Sequence, residues 1–287
     1  MSTVKTPLKE SVVSTKNASV FFESTLERLS GLHSSSERRS TFPHLLASPI
    51  HYEPGYAYPL LVWLHDAEKT ETELFEVAPR ISTRNYVVVA PRGLARVQNR
   101  VVRSRVNGRL LEEKSWQESC YDWPETDEAV SEAENLVFDS IEQAAANFNV
   151  NPRRIFLLGR GSGGTMALRV ALRNPREFAG VASIDGAVPP LEKLPLRNWR
   201  VARDLPVLIT TSDRSSTAVP QLTARQLRLF HTAGMTVVIR QYNEAPGRCT
   251  ARAAETRMNK ILADVNCWAM ERALNPRTPT SELFERC

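Results

Sequence analysis

The sequence predicts an α/β fold: one mainly parallel, doubly wound sheet in a single domain, with helices on both faces. Three observations predict it. Six apolar, strand-sized runs recur between Leu60 and Tyr242, helical stretches lie between them, and several of the runs are apolar throughout instead of alternating. Strands that alternate with helices need crossover connections, and these make neighbouring strands parallel. A run that is apolar at every position is a strand buried on both faces.

The elements follow in order along the chain. Residues 1–48 are polar, contain Ser34-Ser35-Ser36 and hold no sustained periodicity, which predicts a disordered tail with one short helix near Phe21 to Leu29. The folded domain is then 49–287. Strands are predicted at Leu60–His65, Tyr86–Ala90, Arg154–Gly159, Gly180–Asp185, Pro206–Thr211 and Thr236–Tyr242. Ala129, Ala133, Leu136, Val137, Ile141, Ala144, Ala145 and Phe148 fall on one helical face. Leu222, Leu227 and Phe230, stopped by Gly234, predict a second helix, and Met258, Ile261, Leu262, Val265, Trp268 and Ala269 a third. Ligands in such sheets bind at the carboxyl ends of the strands. The turns after His65, Pro91, Gly159, Asp185, Thr211 and Tyr242 are therefore where a site is expected.

Composition narrows the function classes. The chain is 42% hydrophobic and 24% charged, as in ordinary globular proteins, and no apolar run approaches the roughly 20 residues of a membrane helix. The N-terminus has no apolar signal core, which predicts a cytoplasmic protein. Cys120, Cys249, Cys267 and Cys287 lack any paired metal or redox spacing and read as reduced thiols. The net charge is +5, and much of the excess sits in Arg92, Arg96, Arg100, Arg103, Arg105, Arg109 and Lys114. With no aromatic interleaving and no recognised motif, this 92–114 loop predicts no nucleic-acid partner; it reads as a solvated loop or as charge facing an anionic ligand.

The stretch from Arg154 to Leu168 carries the chemistry. A buried strand runs into Gly159-Arg160-Gly161-Ser162-Gly163-Gly164 and then into a helix. Two chemistries use that layout. One is a nucleophile elbow, in which a strained turn lifts a side chain above the sheet and the next N–H helps bind an oxyanion. The other is a dinucleotide turn: Gly159, Gly161 and Gly164 satisfy G-x-G-x-x-G, and Asp185 lies about 20 residues on, at the ribose-acid position.

Pro59-Leu60-Leu61-Val62-Trp63-Leu64-His65, Ala90-Pro91-Arg92-Gly93, Tyr121-Asp122-Trp123-Pro124 and the elbow running into Thr165-Met166-Ala167-Leu168 resemble, taken together, the phospholipase/carboxylesterase family, which includes acyl-protein thioesterases. The resemblance spans Tyr52 to Leu274. It implies an α/β-hydrolase fold and hydrolysis of carboxylic esters or thioesters through an acyl-enzyme, with no metal or organic cofactor. The family elbow reads Gly-x-Ser-x-Gly-Gly. Aligned on Gly159 and Gly163-Gly164, its nucleophile position is Gly161, which has no side chain to react. Ser162 stands one residue late, and its use would put Arg160 where a small residue is needed.

The other family positions also differ. The catalytic histidine follows the last strand, but here the turn reads Asn243-Glu244-Ala245-Pro246-Gly247-Arg248-Cys249-Thr250. Arg248 stands in the place, and a guanidinium stays protonated and is no general base. Of the five histidines, His33 and His44 fall in the predicted tail, His51 precedes the first core strand, His65 ends a strand and His231 lies in a predicted helix. For the acid, Asp213 is near, while a strict register favours Ser215. The oxyanion loop reads His65-Asp66 where the family has His-Gly, and an inward carboxylate at Asp66 would oppose an oxyanion.

The leading expectation is therefore a degenerate member that keeps the pocket for a small acyl ester but lacks a working triad. One alternative is an active carboxylesterase using Ser162 as nucleophile and Asp213 as acid. Another is an anion- or dinucleotide-binding protein built on the Gly159–Gly164 turn, with Arg160, Arg248 and the basic loop supplying charge.

Overall fold

The computed structural model describes residues 43–97, 102–106, 109–113, 120–189, 199–212, 228, 230–242 and 250–274, with the backbone alone at 102–106, 109–113 and 199–200. Its centre is a seven-stranded sheet. The strands are β1 (His44–Ala47), β2 (Tyr58–Leu64), β3 (Val87–Pro91), β8 (Val150–Arg160), β9 (Gly180–Ile184), β10 (Val207–Ser212) and β11 (Val237–Tyr242). Their spatial order is β1-β3-β2-β8-β9-β10-β11. β1 pairs antiparallel with β3, and every other pairing in this sheet is parallel. The α/β-hydrolase fold is thus present. Two small antiparallel ladders lie apart from the sheet: β4 (Ala95–Val97) with β7 (Cys120–Asp122), and β5 (Val102–Val106) with β6 (Arg109–Glu113).

All seven residues of β2 are buried, as a strand apolar at every position requires. Its side chains alternate between two cores. Leu60, Val62 and Leu64 pack with α2 (Asp127–Asn147) and α3 (Ser162–Arg173) through residues such as Val130, Leu136, Val137 and Leu168. Leu61 and Trp63 pack with α1 (Glu73–Ile81) and α5 (Ala251–Leu274) through Leu74, Val77, Ile261, Val265 and Trp268. Each fully buried side chain of this size contributes about 1.5–3 kcal/mol. A short helix, α4 (Trp199–Ala202), completes the described elements.

Local signals set the helix ends. Thr126 caps α2 by accepting the Ala129 N–H at 3.2 Å, with Asp127 and Glu128 in the first turn. Residues 228 and 230–232 of the helix predicted around Leu222–Phe230 are helical; 222–227 and 229 lie outside the described residues. Its Gly234 stop stands at φ +68°, with Gly234 N–H on His231 O and Met235 N–H on Phe230 O, both 3.0 Å.

Three differences from the sequence reading have physical causes. The four-residue β1 lies inside the stretch taken as polar tail, because an edge strand that short carries too few apolar positions to signal itself. The nine-residue α1 was not anticipated: Leu74, Val77, Ala78 and Ile81 do fall at helical spacing, but the helix is short and holds Pro79, which reads as a helix breaker. β2 ends at Leu64 and β9 at Ile184, so His65 and Asp185 belong to turns. The short helix predicted near Phe21 lies outside the described residues. No described helix is long and apolar enough to cross a membrane.

Candidate active site

The parallel strands deliver their carboxyl ends to one edge, and β8 sits between β2 and β9. The turn after β8 is therefore flanked by the loop after β2 and the turn after β9. Gly161 is its apex, at φ 51° and ψ −121°, between the end of β8 and the start of α3. Its N–H donates to Ile184 O at 2.8 Å, and its carbonyl accepts the Thr165 N–H at 3.1 Å, so strand becomes helix across one residue. That backbone combination favours glycine; a side-chain-bearing residue there costs about 1–3 kcal/mol.

Close approach explains the flanking glycines. A Cβ on Gly163 would overlap the carbonyls of Leu64 and His65, and one on Gly159 would overlap the Gly163 carbonyl. These spacings place Gly161 at the apex and Ser162 as the first helical residue. The Ser162 Oγ is buried and has no hydrogen-bond partner among the described residues.

The loop after β2 fills the apex. A Cβ on Gly161 would overlap Asp66 Oδ1 outright and stand 2.6 Å from its Cγ and 3.1 Å from Oδ2. The Asp66 carboxylate thus occupies the space from which a nucleophile's side chain would rise. Oδ1 accepts the Ala67 N–H at 2.8 Å, and Oδ2 lies 3.7 Å from Arg160 Nε. The Asp66 N–H donates to Glu73 Oε2 at 3.1 Å. In a serine hydrolase of this fold one oxyanion donor is an N–H from this loop. Here the N–H groups of both Asp66 and Ala67 are held by carboxylates.

Glu73 is the buried member of the group. Its Oε2 also accepts the Trp63 Nε1–H at 3.1 Å, while Oε1 makes no hydrogen bond among the described residues and faces Arg160 Nη1 at 3.5 Å. Burial raises its pKa above the ordinary carboxylate value, against the opposing effects of the Trp63 bond and the Arg160 charge. Arg160, with its side chain about one-third exposed at 35%, leans over both carboxylates.

His65 is a fully buried clamp. Its Nε2 accepts the Gly93 N–H at 2.8 Å, which leaves the proton on Nδ1 to donate to Asp66 O at 2.8 Å. Burial pushes its pKa below the ordinary imidazole value. The Trp123 indole N–H donates to His65 O at 3.1 Å. With both ring nitrogens engaged by backbone, His65 positions the loop. The neighbouring Glu71–Arg92 pair, in which Arg92 Nε donates to Oε2 at 2.8 Å, ties the same loop to the turn after β3.

The remaining expected positions divide. Asp213, Ser215 and Arg248 lie outside the described residues. Asp185 is at φ 54°, and its Oδ1 accepts the Ser212 N–H at 2.7 Å, joining the ends of β9 and β10. Of the basic loop, Arg92 is paired with Glu71 and Arg96 is exposed on β4. The side chains of Arg100, Arg103, Arg105, Arg109 and Lys114 lie outside the described residues. Among the described residues no group of three or more His, Cys, Asp or Glu is placed to hold a metal ion. Sequence reasoning missed Glu73 and the roles of Trp123 and Gly93; the acid in the first turn of α1 was the only local signal, and nothing marked it as buried.

The phospholipase/carboxylesterase family model matches residues 112–253. A search of curated proteins found no match. Among solved structures, the Bacillus cereus carboxylesterase is 15% identical at a TM-score of 0.54, covering 86% of this chain and 99% of its own. Arabidopsis thaliana SOBER1 is 19% identical at a TM-score of 0.53, covering 76% of this chain and 100% of its own. At such identities the likeness is one of fold.

Proposed function

We propose that this α/β-hydrolase, similar to the phospholipase/carboxylesterase family across residues 112–253, is a degenerate carboxylic-ester or thioester hydrolase: it keeps the scaffold and its acyl pocket but not serine chemistry. The observation that carries this reading is the Asp66 carboxylate standing at a glycine apex, where a nucleophile would rise. Three further features support it. The loop N–H groups are capped by Asp66 and Glu73. His65 has no free ring nitrogen. Arg248 at the histidine position of the family pattern extends the same reading to the base, with Asp213 or Ser215 at the position of the acid.

The Ser162 esterase is disfavoured because its Oγ is buried and has no partner among the described residues. A dinucleotide at this turn would bring a pyrophosphate against the Asp66 carboxylate, and Asp185 is already bonded to Ser212. No cofactor is needed for the reading.

A fluorophosphonate probe tests it. The wild-type protein and Ser162→Ala are expected to show the same background labelling. Stoichiometric labelling that Ser162→Ala abolishes would overturn the proposal. Weak turnover alone would not, since binding and positioning leave roughly 10³–10⁴-fold over water in enzymes stripped of triad members.

A further inference from the structure

We propose that the elbow is a carboxylate-binding site whose resident occupant is the chain's own Asp66, making the β2–α1 loop a tethered, autoinhibitory ligand. The inference rests on the degenerate reading and adds the ligand class and the way the site is held shut.

Asp66 is placed as a bound carboxylate would be. One oxygen takes the Ala67 N–H at 2.8 Å, and the other faces the Arg160 guanidinium at 3.7 Å. The carboxylate stands against the apex from which the 12-residue α3 departs. That helix has no side-chain N-cap and no acid in its own first turn, so the partial positive charge of its end is answered from outside the helix. Asp66 is the carboxylate that stands there.

The occupant is locked from behind. Glu73 Oε2 holds the Asp66 N–H, the His65 Nδ1–H holds its carbonyl, and Glu71 is paired with Arg92. A free ligand carboxylate and Asp66 cannot share the apex, because Asp66 already lies where a Gly161 side chain would stand and two carboxylates repel. The class of ligand is an aliphatic carboxylate, the acid an acyl ester would yield. It enters only when the Asp66 side chain leaves.

Titration of butyrate and of butylammonium into the full chain, followed by the indole N–H signals of Trp63 and Trp123, tests this. Asp66→Ala is expected to bind butyrate at least tenfold more tightly than wild type and to gain nothing for butylammonium. Adding Arg160→Ala to that variant should remove most of the gain. Asp66→Asn keeps an acceptor for the Ala67 N–H and removes only the charge, so it should gain less. It also serves as the folded comparison if Asp66→Ala is unstable. Equal butyrate affinity in wild type and both variants, or an equal gain for butylammonium, overturns the proposal. These outcomes are independent of fluorophosphonate labelling, so a failure here is distinguishable from a failure of the degenerate reading.

Discussion

Gly161→Ala is the sharpest test of how the apex is filled. Two costs arise, and they separate. The first is intrinsic: a side chain at φ 51° and ψ −121° costs about 1–3 kcal/mol whatever surrounds it. The second is eviction. The new Cβ overlaps Asp66 Oδ1, so the carboxylate must turn away and give up the Ala67 N–H. A hydrogen bond to a charged group is worth about 1.5–3 kcal/mol. The Arg160 pair, with both side chains about one-third exposed at 35% and 31%, is screened and adds at most about 1 kcal/mol.

The total is about 2.5–7 kcal/mol in the wild-type background. In an Asp66→Gly background only the intrinsic cost remains, about 1–3 kcal/mol. The double-mutant cycle should therefore return a coupling of about 1.5–4 kcal/mol. Urea unfolding followed by fluorescence reads it directly, because Trp63, Trp123 and Trp268 are all buried. Costs that agree to within about 0.5 kcal/mol in the two backgrounds would refute the placement of Asp66 at the apex.

Two further outcomes concern the groups behind the apex. His65 has its pKa lowered by burial, so its contribution to stability is complete above the ordinary imidazole value, about 6.5, and is lost as the pH falls from there toward its folded value. Wild-type stability should fall by up to about 1.4 kcal/mol per pH unit more than that of His65→Asn in this window, as urea midpoints across pH will show. Glu73 has the opposite sign, since its raised pKa lowers stability as the pH rises above the ordinary carboxylate range, and the His65→Asn comparison removes that shared background. Glu73→Gln keeps an acceptor for the Trp63 and Asp66 N–H groups and should change stability by less than about 1.5 kcal/mol, whereas Glu73→Ala strands both donors and should cost about 2–5 kcal/mol. Equal midpoints for the two variants would show that these bonds do not hold the loop.

The strands were legible because burial on both faces demands apolar residues at nearly every position; β2 and β3 obey that throughout, and β9 departs from it only at the buried Ser183. The elbow register was legible for a related reason: Gly159 and Gly163 stand where neighbouring backbone leaves no room for a Cβ. The contents of the site were not. An aspartate after a strand reads the same whether it faces solvent or the apex, and only the pairing of β2 beside β8 brings Asp66 to Gly161. Glu73 carries no mark of burial, because its partners Trp63, Asp66 and Arg160 come from other elements. His65 looked like part of a ligand turn, and its two backbone bonds depend on the distant Gly93.

The glycine at the apex also bears on why such a scaffold persists. A nucleophile at this turn must hold a strained backbone, at about 1–3 kcal/mol, which packing elsewhere has to offset. Gly161 adopts the same turn without that penalty, and the turn itself is fixed by Ile184 O, Thr165 N–H and the close approach of Gly163 to β2. With glycine at the apex, the Asp66 carboxylate from the neighbouring loop fits against it and holds the Ala67 N–H. Gly161 and Asp66 thus form one mutually dependent arrangement. A serine introduced at 161 alone would meet Asp66 before it met a substrate, so the presence of the elbow is evidence about packing and not about turnover.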